Sequence, residues 1–155
     1  MNISEFLDRN NIDFDILPHD ETYEAQRMAQ SVHESGHHVA KTVLLRLGAD
    51  NYVVVVLPAT RSVDFEAAQK AFGVEQVNLA TEQEMSQHCP DCEVGALPPF
   101  GSQYTMKTVV DESLTNEDTI VFESNTHSES IRMKYTDFER LENPEVVSLS
   151  QLTAA

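Results

Sequence analysis

Residues 39–57 have the apolar and polar pattern of two β-strands joined by a turn. Apolar side chains dominate residues 39–47 and 52–57, and the Gly-Ala-Asp-Asn segment between them is rich in turn-forming residues. This pattern predicts a β-hairpin. Because residues 52–57 lack polar alternation, we expect the second strand to be covered on both faces and to lie centrally in its sheet.

Other segments follow the same two periodicities. Helices are predicted near the N-terminus, where Ile3, Phe6 and Leu7 share one face, and at residues 22–33. Further helices are predicted at residues 65–72, capped by Asp64 or Ser62, and at 82–88, opened by a Thr81–Glu84 capping box. A last helix is predicted from a Thr136–Glu139 capping box to Leu141. Strands are predicted at residues 14–18, 77–80, 107–111, 119–123 and 130–134, with an edge strand at 146–149. Interleaved helices, strands and hairpins predict one domain over residues 1–155. Its class is α/β (α+β), with a curved mixed β-sheet and helices packed outside it.

One charged side chain interrupts the apolar pattern of the first hairpin strand. Strand alternation places Lys41 in a row with Val39, Val43, Leu45 and Leu47. An ammonium group in a core-facing row is costly to desolvate unless it reaches solvent or meets an anion. The residues alone leave two interpretations open: a lysine that extends its ammonium to the surface, and a lysine that serves a functional site.

Charge limits the partners of the chain. The sequence has 10 Lys and Arg against 26 Asp and Glu, a formal net charge of −16. This balance argues against broad, sequence-independent binding to nucleic-acid phosphates, although contact with one short end of a nucleic acid stays compatible with it. The first residues are polar and no apolar run approaches the ~18 residues of a spanning helix, so we expect no membrane association and a cytoplasmic location.

Cys89 and Cys92 form a Cys-Pro-Asp-Cys segment that has three interpretations. The spacing fits half of a zinc site, with His88 adjacent, but no second ligand pair has suitable spacing. A redox pair normally precedes an amphipathic helix, whereas a loop follows here. Two reduced loop thiols are the favoured interpretation, and no metal is expected.

The loop Gly-Ala-Leu-Pro-Pro-Phe-Gly at residues 95–101 is rich in backbone constraints. Pro98 and Pro99 fix their φ angles, whereas Gly95 and Gly101 leave space for a ligand to approach the backbone. The loop is either a structural turn around a Phe100 plug or part of a binding pocket.

Polar residues at the ends of predicted strands give weaker indications. His127, in the loop before residues 130–134, is either an exposed loop histidine or a donor or base at a pocket. Asp111 and Glu112 are expected to cap a strand end in solvent. No Gly-x-Ser-x-Gly motif is present, so a serine nucleophile is not predicted.

Five segments taken together resemble a known family. They resemble, in order and at suitable spacing, the YbaK and prolyl-tRNA synthetase-associated domain family. The segments are "AKTVLLRL", "YVVVVLPATRSVD", "CEVGALPPFGS", "VVDESL" and "HSESIRMKYTDFERL". The resemblance runs from about Leu17 to Leu141. It implies a curved, partly barrel-like mixed sheet with flanking helices, and a cleft for the aminoacylated adenosine of a tRNA.

The resemblance also implies an activity and its partners. Editing members of the family hydrolyse mischarged prolyl-tRNA, releasing alanine or cysteine, and some relatives act on other tRNAs. We therefore expect a deacylase that acts in trans on the acceptor end of a mischarged tRNA. A transient contact with an aminoacyl-tRNA synthetase is part of this expectation, and no cofactor is expected. The alternative is a non-catalytic module of the same fold that binds a nucleotide, an aminoacyl ester or a protein.

The family places its functional lysine at Lys41, its pocket loop at Gly95 to Gly101 and a nearby histidine at His127. The predicted catalytic residues are accordingly Lys41, Gly101 and His127. The predicted substrate-binding residues are Thr42, Gly95, Pro98, Pro99, Phe100, Ser102 and Arg61.

Ester hydrolysis assigns a physical role to each predicted catalytic group. A fixed Lys41 ammonium and a backbone N–H near Gly101 would stabilise the developing oxyanion, with His127 or a substrate group as the base. The cations expected to hold the tRNA end are Arg46, Arg61, Lys70 and Arg132.

Overall fold

Helices and strands alternate along the computed structural model, which describes residues 2–18 and 38–152. The helices within these residues are α1 (Ile3–Arg9), α2 (Phe65–Phe72), α3 (Glu82–His88) and α4 (Tyr135–Glu142). The strands are β1 (Phe14–Pro18), β2 (Ala40–Leu47), β3 (Asn51–Pro58), β4 (Arg61–Val63), β5 (Val77–Leu79), β6 (Lys107–Asp111), β7 (Thr119–Glu123), β8 (Glu129–Lys134), β9 (Glu145–Val147) and β10 (Ser150–Leu152). None of the described helices has both the length and the apolar composition needed to cross a bilayer.

The β2–β3 hairpin is the centre of the largest sheet. This sheet has the order β5-β2-β3-β6-β9, with β2 antiparallel to β3 and β6 parallel to both β3 and β9. Residues 53–57 of β3 are at most 2% exposed. The predicted hairpin and the central position of its second strand are therefore confirmed.

A second sheet joins the first at one edge. It has the antiparallel order β1-β8-β7, and a parallel bridge between Val39 and Val121 connects β7 to the start of β2. Within residues 2–18 and 38–152 the sheet continues through this bridge without closing into a barrel. The mixed α/β class is confirmed, while β4 and its partner β10 form a two-stranded ladder that the sequence pattern did not predict.

Strand alternation gives the joined sheets two different faces. The first, here called the aromatic face, carries Leu44, Val54 and Phe122, and Phe100 packs on it. The other, here called the α2 face, carries Leu45 and Val55 on the two hairpin strands, and Ala68 of α2 covers it. Because successive side chains of β2 alternate between these faces, Lys41 lies on the α2 face and Thr42 on the aromatic face.

The predicted helix starts are partly correct. The Asp64 carboxylate caps α2, and Thr81 and Glu84 form the predicted capping box of α3. The Thr136 capping box is wrong: α4 begins at Tyr135 without a side-chain cap, so Thr136 lies inside the first turn. The helix predicted at residues 22–33 lies outside the described residues.

Asp111 contradicts its predicted solvent position. The residue is 2% exposed, and its carboxylate accepts hydrogen bonds from the backbone N–H groups of Leu149 (3.0 Å) and Ser113 (3.1 Å) and from the Ser113 hydroxyl. Burial acts to raise the pKa of Asp111, but hydrogen bonds from these residues and Ser150 outweigh it, so the pKa is lowered. The carboxylate thus fastens the C-terminal segment to the end of β6.

Replacing Asp111 with Asn should lower the free energy of unfolding at pH 7 by about 1–3 kcal/mol, since at least one buried donor loses its acceptor. A carboxylate with a lowered pKa stabilises the fold above its unfolded pKa of about 3.9 and loses that effect as the pH falls through the folded value. Urea unfolding should therefore show a deficit that shrinks under acidic conditions. Glu112→Gln at the exposed neighbour is the control, and equal stabilities of Asp111→Asn and parent at pH 7 would contradict this role.

Candidate active site

A gap opens in the sheet where β2 leaves β7. Val121 donates its N–H to the His38 carbonyl (3.0 Å), and further along the same edge of β2 the Leu44 carbonyl accepts from Ala80 (2.9 Å). Backbone groups of alternate residues point to the same side of a strand, so those of Thr42 face this edge between the two contacts. No backbone hydrogen bond of the described residues crosses the edge at Thr42. We call this opening the β2–β7 gap.

Lys41 and Glu123 flank the gap on the α2 face. Val39 and Val121 are paired in the parallel bridge, and Lys41 and Glu123 each follow by two residues. Because side chains repeat with a period of two, both point to the same side as the bridged valines. The sheet therefore presents one cation and one carboxyl group on opposite sides of the gap.

The Lys41 ammonium has no compensating anion among the residues that the structure describes. The side chain is half-buried on an otherwise apolar strand face, and no hydrogen bond or ion pair to it is formed by residues 2–18 or 38–152. Burial lowers the pKa of Lys41 for this reason. Such a group gains interaction free energy when an anion or a developing negative charge is placed beside it.

His127 is buried at 1% exposure and held on three sides. Its Nδ1 lies 2.9 Å from Glu123 Oε2, its Nε2 lies 2.6 Å from the Val94 carbonyl, and its backbone N–H donates to Glu93 (3.3 Å). A carbonyl oxygen only accepts, so Nε2 carries a proton. The other ring nitrogen faces a carboxylate instead of open space, which disfavours His127 as the base that activates water.

His127 and Glu123 alter each other's pKa values. Burial raises the pKa of Glu123 to about 7, although the neighbouring His127 opposes that shift. Burial acts to lower the pKa of His127, but the Val94 carbonyl and the Glu123 and Glu93 carboxylates outweigh it and raise the value. The two groups therefore titrate as one interacting pair and not independently.

The start of the predicted loop is fastened to this pair. Glu93 donates its N–H to the Asn125 carbonyl (2.8 Å), and Gly95 has φ +85° directly beside the imidazole. A Cβ on Gly95 would lie 3.3 Å from His127 Cε1. Residues 93–95 and 123–127 therefore support each other, and Gly95 is needed both for its backbone conformation and for the close approach of the ring.

Gly101 is enclosed by the protein itself. Its N–H donates to Thr108 Oγ1 (2.8 Å), which in turn donates to Glu142 (2.6 Å). A Cβ would lie 2.7 Å from Thr108 Oγ1, 2.9 Å from the Met106 carbonyl and 3.1 Å from Val54. The expectation that Gly101 leaves room for a ligand is therefore wrong, because the chain itself fills that space. The oxyanion donor expected near this residue is not the Gly101 N–H, which is bound to Thr108.

The rest of the loop is divided between the core and a separate surface. Phe100 is fully buried, with edge-to-face contacts to Phe122 and Phe138 at 5.8 and 5.5 Å, and Pro98 and Pro99 are buried. Phe100 therefore fills the core, as the first of the two interpretations of the loop expects. Exposed Ser102 is bound to Glu142 by its N–H (3.0 Å) and its hydroxyl (2.7 Å).

Two of the predicted substrate-binding residues, Arg61 and Thr42, differ in their position relative to the gap. Arg61 donates to Ser150 Oγ (2.6 Å) and lines a polar cleft of about 380 Å³ with Asp111, and none of its hydrogen bonds connects it to the gap. Thr42 lies at the gap through its backbone. Its hydroxyl, on the aromatic face, is buried and has no hydrogen-bond partner among the described residues.

The two cysteines are free thiols. Cys89 is buried, which raises its pKa to about 12, while Cys92 lies 2.9 Å from the Tyr104 hydroxyl and accepts from Asn125 (3.3 Å). No group of three or more His, Cys, Asp and Glu side chains suited to a metal ion occurs in the described parts of the chain.

Acidic neighbours neutralise two of the four cations expected to hold a tRNA. Arg46 lies 3.5 Å from Glu84, and Arg132 lies 3.0 Å from Asp15. Lys70 is exposed on α2. The described surface thus offers few contacts to nucleic-acid phosphates, in agreement with the net charge of −16.

A half-buried cation beside a sheet gap, with a rigid glycine turn and a carboxyl–imidazole pair nearby, is a site suited to polarising an ester carbonyl. The profile of the aminoacyl-tRNA editing domain family matches residues 19–141, and the chain belongs to this family. Its enzyme class is therefore that of a hydrolase of aminoacyl-tRNA ester bonds, as predicted, and its substrates are aminoacyl-tRNAs.

Individual relatives agree with this assignment. The chain is 24% identical over 146 residues to the Multifunctional Ser/Thr-tRNA deacylase ProXp-y of Escherichia coli (strain K12), covering 92% of this chain and 87% of that protein. It superposes on the hypothetical protein APE2540 with a TM-score of 0.86 at 17% identity, covering 96% and 99% of the two chains. A candidate trans-editing enzyme for prolyl tRNA synthetase gives a TM-score of 0.82 at 18% identity, covering 96% and 94%. At these identities the structures show a shared fold.

Glu123 is the site residue that sequence reasoning missed. It ends an otherwise apolar strand, and its spacing of four residues from His127 was the available indication. In a strand-and-loop context that spacing carries no fixed geometry, so only the bridge between β2 and β7 reveals that Glu123 lies on the same face as Lys41.

Replacing Gly101 with Ala should lower stability by about 1–3 kcal/mol, because the added methyl overpacks an occupied space. Activity should fall only as far as the folded fraction falls. Thermal unfolding and turnover measured on the same samples test this. Gly73→Ala is the control, since nothing lies within 4 Å of that Cβ and only its left-handed φ of +66° adds strain. A Gly101→Ala protein that is fully stable but inactive would contradict this structural role and support a catalytic one.

Proposed function

We propose that this chain is a free-standing editing deacylase, which hydrolyses the ester bond of mischarged tRNA in trans by direct attack of water. The observation that carries the proposal is Lys41, whose ammonium is half-buried at the β2–β7 gap with no counter-ion among the described residues. A substrate carbonyl placed in the gap would supply the missing negative charge as the reaction proceeds.

The chemistry follows from charge stabilisation without a covalent intermediate. Water adds to the ester carbonyl carbon, and the Lys41 ammonium stabilises the oxyanion that forms. The carbon–oxygen bond to the terminal ribose then breaks, the ribose oxygen takes a proton, and the free amino acid and tRNA leave. His127 acts as a positioning residue that fixes Gly95, while a substrate group is the base in this scheme because both imidazole nitrogens are engaged.

The next question is which amino acid the substrate tRNA carries. We infer that the substrates carry small amino acids, and two classes have support. Resemblance to the YbaK group favours alanyl- and cysteinyl-tRNA-Pro, whereas the relative described as a Ser/Thr-tRNA deacylase favours seryl and threonyl esters. Because that relative matches nearly the whole chain, we place the hydroxyl amino acids first.

A transient contact with an aminoacyl-tRNA synthetase would assist this enzyme. A surface of net charge −16 attracts tRNA poorly, and few described cations are free to hold it. Delivery of the charged acceptor end by a synthetase would remove the need for a large phosphate-binding surface. The structural likeness to a candidate trans-editing enzyme for prolyl tRNA synthetase is compatible with such a partner.

A panel of charged tRNAs tests the activity directly. At catalytic protein concentrations, seryl- and threonyl-tRNA should be cleaved faster than alanyl- and cysteinyl-tRNA-Pro, and correctly matched prolyl-tRNA-Pro should be spared. Because few phosphates are neutralised, the rate should depend only shallowly on salt. Tight binding of the panel without release of any amino acid would instead identify a non-catalytic binding module.

Lys41→Met should lose on the order of 100-fold in single-turnover deacylation, the scale expected when one preorganised charge stabiliser is removed. The same protein should be at least as stable as the parent in thermal unfolding. The reason is that a lysine with a pKa lowered by burial destabilises the fold in its charged form, and Met keeps the apolar stem.

Lys134→Met, the same chemical change at an exposed residue that ends β8, is the matched control and should leave both rate and stability unchanged. A Lys41→Met protein that cleaves like the parent would refute the mechanism.

A further inference from the structure

We propose that Glu123 binds the α-ammonium group of the aminoacyl substrate, so that the enzyme requires a free α-amino group on the ester that it hydrolyses. This inference rests on the proposed deacylase function and adds the chemical class that the site recognises. It concerns the second charged group at the β2–β7 gap, for which the reaction scheme has no role.

One oxygen of the Glu123 carboxyl group is available for a ligand. Oε2 is 2.9 Å from His127 Nδ1, whereas Oε1 has no hydrogen-bond partner among residues 2–18 and 38–152. The side chain is 11% exposed, so it is largely withdrawn from bulk water yet open to the gap. A carboxylate accepts several hydrogen bonds, and binding by His127 leaves capacity for another donor.

The opposite side of the gap supplies the complementary charge. Lys41 and Glu123 follow the bridged pair Val39 and Val121 by two residues each and point to the same face. An α-amino ester has the matching pattern, since its ammonium and its carbonyl oxygen are separated by one carbon and the carbonyl carbon. With the carbonyl oxygen toward Lys41, the ammonium is directed to the Glu123 side of the gap.

Other charged groups on this face are less suited to the role. Paired strand register places Ser130 and Arg132 of β8 in the same row as Glu123 and Val121, but Arg132 is a cation already paired with Asp15. Glu93 is exposed, and its carboxylate accepts from the His127 backbone. An exposed carboxylate gains little from an ammonium in water, whereas a largely buried one gains more.

The test compares two esters that differ only at the α position. Alanyl-tRNA is paired with lactyl-tRNA, and seryl-tRNA with its 2,3-dihydroxypropanoyl counterpart, so a hydroxyl replaces the ammonium at nearly constant size. Each single-turnover rate is divided by the spontaneous hydrolysis rate of the same ester. The parent should favour the amino ester by about ten-fold or more, the range for a hydrogen bond to a charged group.

Glu123→Gln keeps the shape and removes the charge, so it should reduce the preference to nearly one by slowing the amino ester alone. Glu129→Gln, the same change at an exposed residue of β8, should keep the preference of the parent. A merely structural role of Glu123 would slow both esters alike and leave their ratio unchanged.

The outcomes separate the inference from the function on which it rests. Equal acceleration of both esters by the parent overturns the inference and leaves the deacylase function intact. A preference that survives in a folded Glu123→Gln protein overturns the assignment to Glu123. Failure to accelerate any ester overturns the proposed function and the inference together. The parent comparison needs no variant, so the inference stays testable if Glu123→Gln does not fold.

Discussion

The site depends on the parallel bridge between Val39 and Val121, where the two main sheets meet. At this bridge the residue that precedes β2 lies beside β7, and further along its length β2 pairs with β5. A strand whose neighbour changes partway along its edge leaves backbone groups and side chains without a covering strand. Considering residues 2–18 and 38–152 alone, the uncovered positions are Thr42, at the edge, and Lys41, on the α2 face.

The two charged side chains at the gap, Lys41 and Glu123, are both at least partly buried and incompletely paired. Within the part of the chain that the structure describes, Lys41 is half-buried with no anion beside it, and Glu123 is paired through one oxygen only, to His127. Each arrangement costs free energy in the unliganded protein, which a ligand of opposite charge recovers. The surrounding contacts of His127 with Val94 and Gly95 keep the loop fixed, so that this free energy is not lost to reorganisation.

Local sequence patterns predicted the elements of the fold well. The hairpin β2–β3, the cap at Asp64 and the capping box at Thr81 depend on residues close in the chain, and all are present. Asp111 was misplaced because its burial depends on Leu149, which returns to it from a distant segment. Contacts of that kind leave no periodic signal in the sequence.

The same limit applies to the site. Lys41 was identifiable because a charge interrupts an apolar row, and the family resemblance drew attention to the loop and His127. The sequence did not reveal the roles of Gly101 and Phe100, because glycine and phenylalanine occur in packed turns as well as in pockets. Only the contacts with Thr108, Val54 and the aromatic neighbours distinguish the two cases.

The central claim is that an aminoacyl ester binds across the β2–β7 gap between Lys41 and Glu123. The most direct measurement is a crystal structure with an aminoacyl-adenosine analogue in which a stable amide replaces the ester. We predict the carbonyl oxygen within hydrogen-bond distance of Lys41 Nζ and the α-ammonium within the same distance of Glu123 Oε1. An analogue bound instead in the polar cleft beside Arg61, with the gap empty, would contradict the account.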